Sequence, residues 1–381
     1  MRLRQAKYGL YNSRKTALAT PSSRTSSTSG LTVNEMPDDV ILMIFSFLSP
    51  KYLASCSPVS IRWYNLCTHP ILWRDVYFIA SDRLTLRQLS NFAASQIATF
   101  VESLTLEGYV IRSSTAAHKS TNILSKPALE KIGRNMTSLR SLRVENANIS
   151  NVNLSMFPRR LEHLSIYSCI IDDKFASTEH SNRNRFCSRL FRNLKSLDFA
   201  YVHKLDGCLS DSIRTFTWLE ELDVTHCVRL SKAELKCWAK NMSNLRVVNI
   251  SELRIVDDEL FCAFAKLPRL ERLFASYTKI TNCAIEKMCK GEQRPPQFLK
   301  VLDIRGCTNV TGDVVGVLRK FTKLNQLFIH RNMTGFSVAR EQPLTSAHDR
   351  NFSILDEIDT GSMVLPYVLE RLQQIRDLNF Y

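Results

Sequence analysis

Acidic residues are missing from the first 30 positions of this chain, although six basic ones (Arg2, Arg4, Lys7, Arg14, Lys15 and Arg24) fall there. Glycine is scarce, 11 in 381 residues, and no Gly-rich phosphate-binding loop occurs, which argues against nucleotide chemistry. The 11 cysteines are odd in number, scattered, and contain no Cys-x-x-Cys pair. That excludes a zinc-bound RING and reads as reduced thiols in a cytosolic or nuclear protein. No run approaches the roughly 18 apolar residues of a membrane span. His163, His203, His226 and His330 belong to no Cys–His or Ser–His–Asp arrangement that the sequence establishes. No catalytic residue, metal site or cofactor is assigned.

The formal net charge is +15, so its distribution decides what it means. Beyond the N-terminal segment most Lys and Arg stand singly on helical stretches, which reads as solvated faces and argues against nucleic acid as the partner. The N-terminal segment, rich in Ser and Thr around Pro21, reads as a disordered, phosphorylatable tail. Its Arg- and Ser-rich, acid-free composition is also that of a mitochondrial transit peptide, so a mitochondrial address stays open beside a cytoplasmic or nuclear one.

Residues 36–73 carry the densest information. Pro37 suits a first helical turn, and Asp38 and Asp39 suit the positive end of a helix dipole. A helix from about Pro37 to Leu48 is expected, stopped by Ser49-Pro50. A short second helix from Tyr52 to Cys56 follows, and Pro58 can start a third carrying Val59, Ile61, Trp63 and Leu66. The first helix holds Val40, Ile41, Ile44, Phe45, Phe47 and Leu48, apolar on more than one face. A unit of roughly 40 residues cannot bury all of this alone, so it should pack on the next domain and on a partner.

A repeat fills most of the rest. Units of the form Leu-x-x-Leu-x-Leu begin at Val101, Leu139, Leu161, Leu194, Leu219, Leu245, Leu270, Leu299 and Leu324, and from Leu194 onward they are 25, 26, 25, 29 and 25 residues apart. That period is a leucine-rich repeat. Cys169, Val202, Cys227, Leu253, Thr278 and Cys307 take the ninth position, where a small buried residue is expected. Helices over Lys232 to Lys240, Asp258 to Lys266 and Asn282 to Lys290 should turn Leu235 and Trp238, then Leu260, Phe261 and Phe264, toward the core. Two repeats are stretched, over residues 110–138 and 172–193. After Asn332 the pattern fades; Val368, Leu369, Leu372, Ile375 and Leu378 form a helical stripe suited to a terminal cap or a return along the concave face. The fold class is α/β, a short helical domain followed by a solenoid with parallel strands on the concave face and helices on the convex face. The expected divisions are residues 1–30, 31–78, 79–332 and 333–381.

Strand alternation puts the third, fifth and seventh positions of each unit on the concave face. Asp198, Glu221 and Asp223 make an acidic patch there. Phe274 and Phe328 expose rings further along, with Arg272, Asp303 and Arg305 beside them. Acids flanked by aromatics suit a basic or Arg-bearing segment.

Pro37, Leu42, Ile44, Phe45, Leu48, Val59, Trp63, Leu72 and Trp73 match the spacing of an F-box. Met36, Asp39 and Ser60 depart from its usual Leu, Glu and Cys, and Pro58 from its usual helix former. With the repeats behind it, the chain resembles the F-box/leucine-rich-repeat substrate receptors of Skp–cullin–F-box ubiquitin ligases. The resemblance implies that the F-box docks a Skp-family adaptor and through it a cullin and a RING subunit, while the repeats hold a protein substrate. It also implies adaptor contacts at Pro37, Ile41, Leu42, Phe45, Leu48, Leu53, Val59, Trp63 and Trp73, with Trp63 suiting core and interface alike. Two other classes stand beside this reading: an adaptor-binding scaffold outside any ligase, and a basic organellar or nucleic-acid-associated repeat protein.

Overall fold

The computed structural model describes residues 33–111, 119–172, 175, 191–205, 213, 215–290, 297–311, 314–318, 323–329 and 353–355. The expected N-terminal tail and most of the expected C-terminal cap lie outside them, as does most of the second stretched repeat.

Three short helices open the described chain: α1 (Asp38–Phe45), α2 (Pro50–Cys56) and α3 (Ile61–Cys67). Pro37 holds extended backbone ahead of α1, and Asp38 and Asp39 fill its first turn. One expectation changes. Pro58 does not start α3; Ser60 does, accepting a hydrogen bond from the Trp63 backbone N–H at 3.1 Å. Serine is a strong N-cap because its hydroxyl satisfies an orphan helix donor, so the substitution at Ser60 supports the local geometry. Arg62 ties α3 back to α1 through Asp38, at 2.6 Å, and the Met36 carbonyl.

The solenoid is one parallel sheet of 11 strands among the described residues. These are β1 (Asp75–Phe78), β2 (Ser103–Glu107), β5 (Ser141–Glu145), β6 (His163–Tyr167), β7 (Ser196–Asp198), β8 (Glu221–Asp223), β9 (Val247–Asn249), β10 (Arg272–Phe274), β11 (Val301–Asp303), β12 (Gln326–Phe328) and β13 (Ser353–Leu355). A two-stranded hairpin, β3 (Val110–Ile111) with β4 (Lys119–Ser120), occupies the first stretched repeat. All nine strands expected from the leucine pattern form. β1 and β13 extend the sheet at both ends, β13 inside the segment expected to be a cap.

Strand register follows the leucines. Val76, Leu104, Leu142, Leu164, Leu197, Leu222, Val248, Leu273, Leu302 and Leu327 are partners on successive strands, and each is at most 3% exposed. A shift of one residue would turn this whole row outward, so burial fixes the pairing. The convex helices Lys232–Asn241 and Asp258–Ala265 bury Leu235 and Trp238, and Leu260, Phe261 and Phe264, as their spacing requires. The ninth-position side chains are all buried. Three of them donate across to the preceding repeat: Cys169 to the Val144 carbonyl at 3.4 Å, Cys227 to Phe199 at 3.1 Å and Cys307 to Ala275 at 3.2 Å. Burial pushes the Cys169 thiol up to about 12, so it serves as a structural donor and not as a nucleophile.

A second regularity appears only when the strands are stacked. The residue just after each first leucine alternates in sign along the sheet: Glu102, Arg140, Glu162, Lys195, Glu220, Arg246, Glu271 and Lys300, with Arg74 ahead of them on the β1 side. Neighbours pair: Arg74 with Glu102 at 3.0 Å, Glu162 with Arg140 and with Lys195 at 2.7 Å, and Glu271 with Arg246 at 2.5 Å and Lys300 at 2.7 Å. The cations flanking Glu162 and Glu271 hold both carboxyls below the usual range. Single exposed pairs contribute little, but a row of them opposes any slip by one repeat, which would set like charges together. Glu271→Lys, facing two cations, should lower Tm by about 2–4 °C in a domain of this size, and the loss should shrink in 1 M salt. Adding Lys300→Glu should restore part of it. Thermal melts of the three forms at two ionic strengths test the row.

Candidate docking surfaces

The expected adaptor contacts divide into two groups. Ile41, Phe45, Leu53 and Trp73 are 1–5% exposed and form the interior of the helical domain. Phe45 meets Trp63 edge-on at 5.2 Å, and the Trp73 indole N–H donates to the Cys67 carbonyl at 2.7 Å. Leu42, Leu48 and Trp63 are half-buried against that interior. Of the nine, Pro37 and Val59 alone are exposed. The four interior side chains are therefore corrected from contacts to scaffold.

What faces outward is a different set. Val40, Met43 and Ile44 on α1 and Phe47 in the turn just after it are 38–83% exposed and keep the spacing i, i+3, i+4, i+7, a second apolar stripe beside the inward-facing one at Ile41, Phe45 and Leu48. Tyr52, Val59, Ile61, Tyr64 and Ile71 continue the apolar exposure on the next elements. The sequence signalled this surface through the excess of apolar residues on α1, but which stripe faced inward required the packing of α3.

On the concave face the fifth-position column is in place, but its acids are engaged. Asp198 accepts from the Ser165 hydroxyl at 2.6 Å and the Ala200 N–H at 2.8 Å, and lies 3.7 Å from Arg143. Asp223 accepts from the Thr225 N–H and hydroxyl and from the Asn249 amide at 2.9 Å. Burial, with the Asp198 carboxylate next to it, pushes Asp223 up to about 7. Asp303 is 3% exposed and holds Arg305 in a two-pronged pair at 3.0 and 2.7 Å, and Arg305 lies over the Phe328 ring at 5.3 Å. Arg272 reaches Glu221 at 3.7 Å. Asp303 is thus corrected from exposed to interior, and the expected acidic patch is largely neutralised by its own neighbours. Glu221, Arg272, Phe274 and Phe328 keep exposed or half-exposed side chains.

A ridge that the sequence reading missed runs beside this column. The eighth position of successive repeats adopts left-handed backbone at Asn146, Ser168, Tyr201, His226, Glu252, Tyr277 and Gly306, with φ between 51 and 68°. Such φ values are uncommon for bulky residues. A hydrogen bond holds the first six in place; among them, the Tyr201, His226, Glu252 and Tyr277 N–H groups donate to the Thr225, Ser251, Ser276 and Arg305 carbonyls of the next repeat at 2.7–3.1 Å. Tyr201 and His226 stack at 5.1 Å, the Tyr201 hydroxyl donates to Glu252 at 2.6 Å, and His226 Nδ1 lies 3.0 Å from the same carboxylate. A Cβ at Gly306 would run into the Tyr277 ring, so glycine there keeps the ring flat against the next repeat.

Among the described residues no group of three or more His, Cys, Asp or Glu is placed to hold a metal ion, and no helix is long and apolar enough to cross a membrane.

A family model described as F-box-like matches residues 33–79, the three helices and β1. Human F-box/LRR-repeat protein 12 is 23% identical over 265 residues, covering 64% of this chain and 78% of that protein. The bovine protein of the same name is 23% identical over 308 residues, covering 72% and 89%. F-box/LRR-repeat protein 5 of Pongo abelii is 40% identical, but over 45 residues, 12% of this chain. Of solved structures, a yeast complex of Rad7 and Elc1 aligns with TM-score 0.38 and 12% identity over 84% of this chain and 92% of that one. The chain carries an F-box-like domain joined to a leucine-rich-repeat solenoid, an arrangement homologous to that of F-box/LRR-repeat proteins.

The Asp223 carboxyl makes a pH prediction. Its folded value lies above the unfolded one, so the folded state binds the proton more tightly. Stability from this group is then full below the ordinary Asp range and is lost as pH rises toward about 7. Asp223→Asn should therefore match the wild type near pH 4 and exceed it at pH 8 by about 1–2 kcal/mol. Urea melts at the two pH values check the sign.

Proposed function

We propose that this chain is the substrate-recognition subunit of a Skp–cullin–F-box ubiquitin ligase, the F-box docking a Skp-family adaptor and the repeats holding a protein for ubiquitin transfer by other subunits. The observation that carries the reading is the second apolar stripe of α1 and the turn after it, Val40, Met43, Ile44 and Phe47, inside the segment that matches the F-box-like family model. Four large side chains over eight residues have no interior left to enter, and apolar surface of this density marks a contact with another protein. The relatives named above, described as F-box/LRR-repeat proteins, support the same assignment. On this reading the adaptor meets the outer stripe with Pro37, Val59 and Ile61, while Ile41, Phe45, Leu53 and Trp73 hold the helices that present it. Glu221, Arg272, Phe274 and Phe328 are proposed as concave contacts to the substrate. The chain positions its partners and supplies no catalytic group, and it acts in the cytoplasm or nucleus.

Interior and surface substitutions separate the two roles. Ile44→Asp/Phe47→Asp should abolish capture of a purified Skp-family adaptor in a pull-down while leaving Tm within about 2 °C of wild type, as expected for changes at exposed positions. Phe45→Ala should instead cost about 3–5 kcal/mol of stability through the cavity it leaves. Unchanged capture by the first variant would remove the proposed docking face.

A further inference from the structure

Beyond the F-box, exposed large apolar side chains are few among the described residues: Phe100, Ile170, Val228, Tyr277 and Phe298. Phe298 lies under the Lys323 ammonium at 4.6 Å, and Phe100 lines a cavity of about 400 Å³ with Ile71 and Arg74 at the joint between the two domains. The other three share one rim of the solenoid, where the chain leaves the left-handed corner.

Four cations stand on that same rim. Lys204, Arg229, Arg254 and Lys279 occupy the tenth or eleventh position of four consecutive repeats, all exposed, and none makes an ion pair among the described residues. The other edge of the sheet differs. There, cations of the alternating row meet acids on neighbouring repeats; here, among the described residues, successive repeats present like charge that no acid pairs. The Glu252 carboxylate, which could have offset them, is already held by Tyr201 and His226. Like charges side by side raise the energy of the folded chain, and an anionic partner relieves them.

We propose that this rim, from Ile170 through Lys204, Val228, Arg229 and Arg254 to Lys279, reads an extended protein segment that carries apolar residues among carboxylates or phosphates. The proposal rests on the receptor reading in taking that segment to belong to a substrate. Five repeats at the 4.7–4.9 Å spacing of paired strands span about 19 Å, the length of about six extended residues. Apolar side chains within the row favour a protein over a nucleic acid, whose backbone offers them nothing. The concave column does not oppose the assignment, since its acids are engaged internally. Anionic segments meeting a cationic row associate quickly and with marked salt dependence.

The test uses the full chain and fluorescein-labelled peptides of one pattern, two apolar residues, a serine and three acids, with and without phosphate on the serine, plus a counterpart with lysines for the acids. Fluorescence anisotropy should show the acidic peptide bound and the lysine peptide unbound. Arg254→Glu/Lys279→Glu should weaken the acidic peptide at least tenfold, and Lys240→Glu/Lys266→Glu, an equal charge change on the convex side, less than twofold. Tighter binding of the phosphorylated form assigns phosphate as the anion read; equal binding assigns carboxylates. Absence of binding by either acidic form, equal losses from the two double variants, or tighter binding of a single-stranded RNA of matched charge would each overturn the proposal. Adaptor capture, measured on the same proteins, separates the two readings. Peptide binding without adaptor capture removes the receptor and keeps the rim; adaptor capture without peptide binding does the reverse.

Discussion

The structure depends on one constraint: no repeat can bury its own leucines. A single strand and its connection leave an apolar face open, and stacking the next repeat on it is the only closure available. The row from Val76 to Leu327, paired residue to residue and nearly free of solvent, is that closure. It fixes the register of the sheet, and the register then aligns every other position. Columns of identical repeat position thereby become surfaces, and the properties of each surface follow from what the column contains.

Three columns with different chemistry result. The second position alternates in sign and is internally compensated, so it favours the correct stacking order and leaves little field for a ligand. In the fifth position the acids are satisfied by Ser165, Thr225, Asn249 and Arg305. The eighth position turns the chain through left-handed backbone, held in six repeats by a hydrogen bond to the next, and just beyond it the cations have no ion pair among the described residues. A surface whose charges cancel serves the fold, whereas one whose charges add leaves a field that can meet opposite charge outside it. The helical domain obeys the same distinction: α1 has one apolar stripe facing inward and another facing solvent.

Much of this was legible in the sequence. Nine strands were readable because Leu-x-x-Leu-x-Leu is dictated by burial alone, and the three convex helices because Leu235, Trp238, Leu260 and Phe264 recur at helical spacing. β1 was missed because Asp75-Val-Tyr-Phe carries none of the repeat's leucines, and its place in the sheet comes from pairing with Ser103–Leu106. The orientation of α1 was not readable, since both of its stripes are apolar and only the packing of Trp63 on Phe45 selects the inner one. The internal partners of Asp198 and Asp223 were not readable, because alternation predicts which way a side chain points and not which neighbour it will meet. The left-handed ridge had one weak signal, the glycine at 306 sharing a column with Asn146, and the tyrosines and histidine between them concealed it.

The central claim is that the outward stripe of α1 is an interface kept open for an adaptor. Side-chain carbene labelling of the full chain, alone and with a purified Skp-family adaptor, tests it most directly. The account predicts that labelling of Met43, Ile44 and Phe47 falls sharply on adding adaptor, while Tyr277 on the solenoid rim is labelled as before. Unchanged labelling along α1 in a mixture where the adaptor is bound would contradict it.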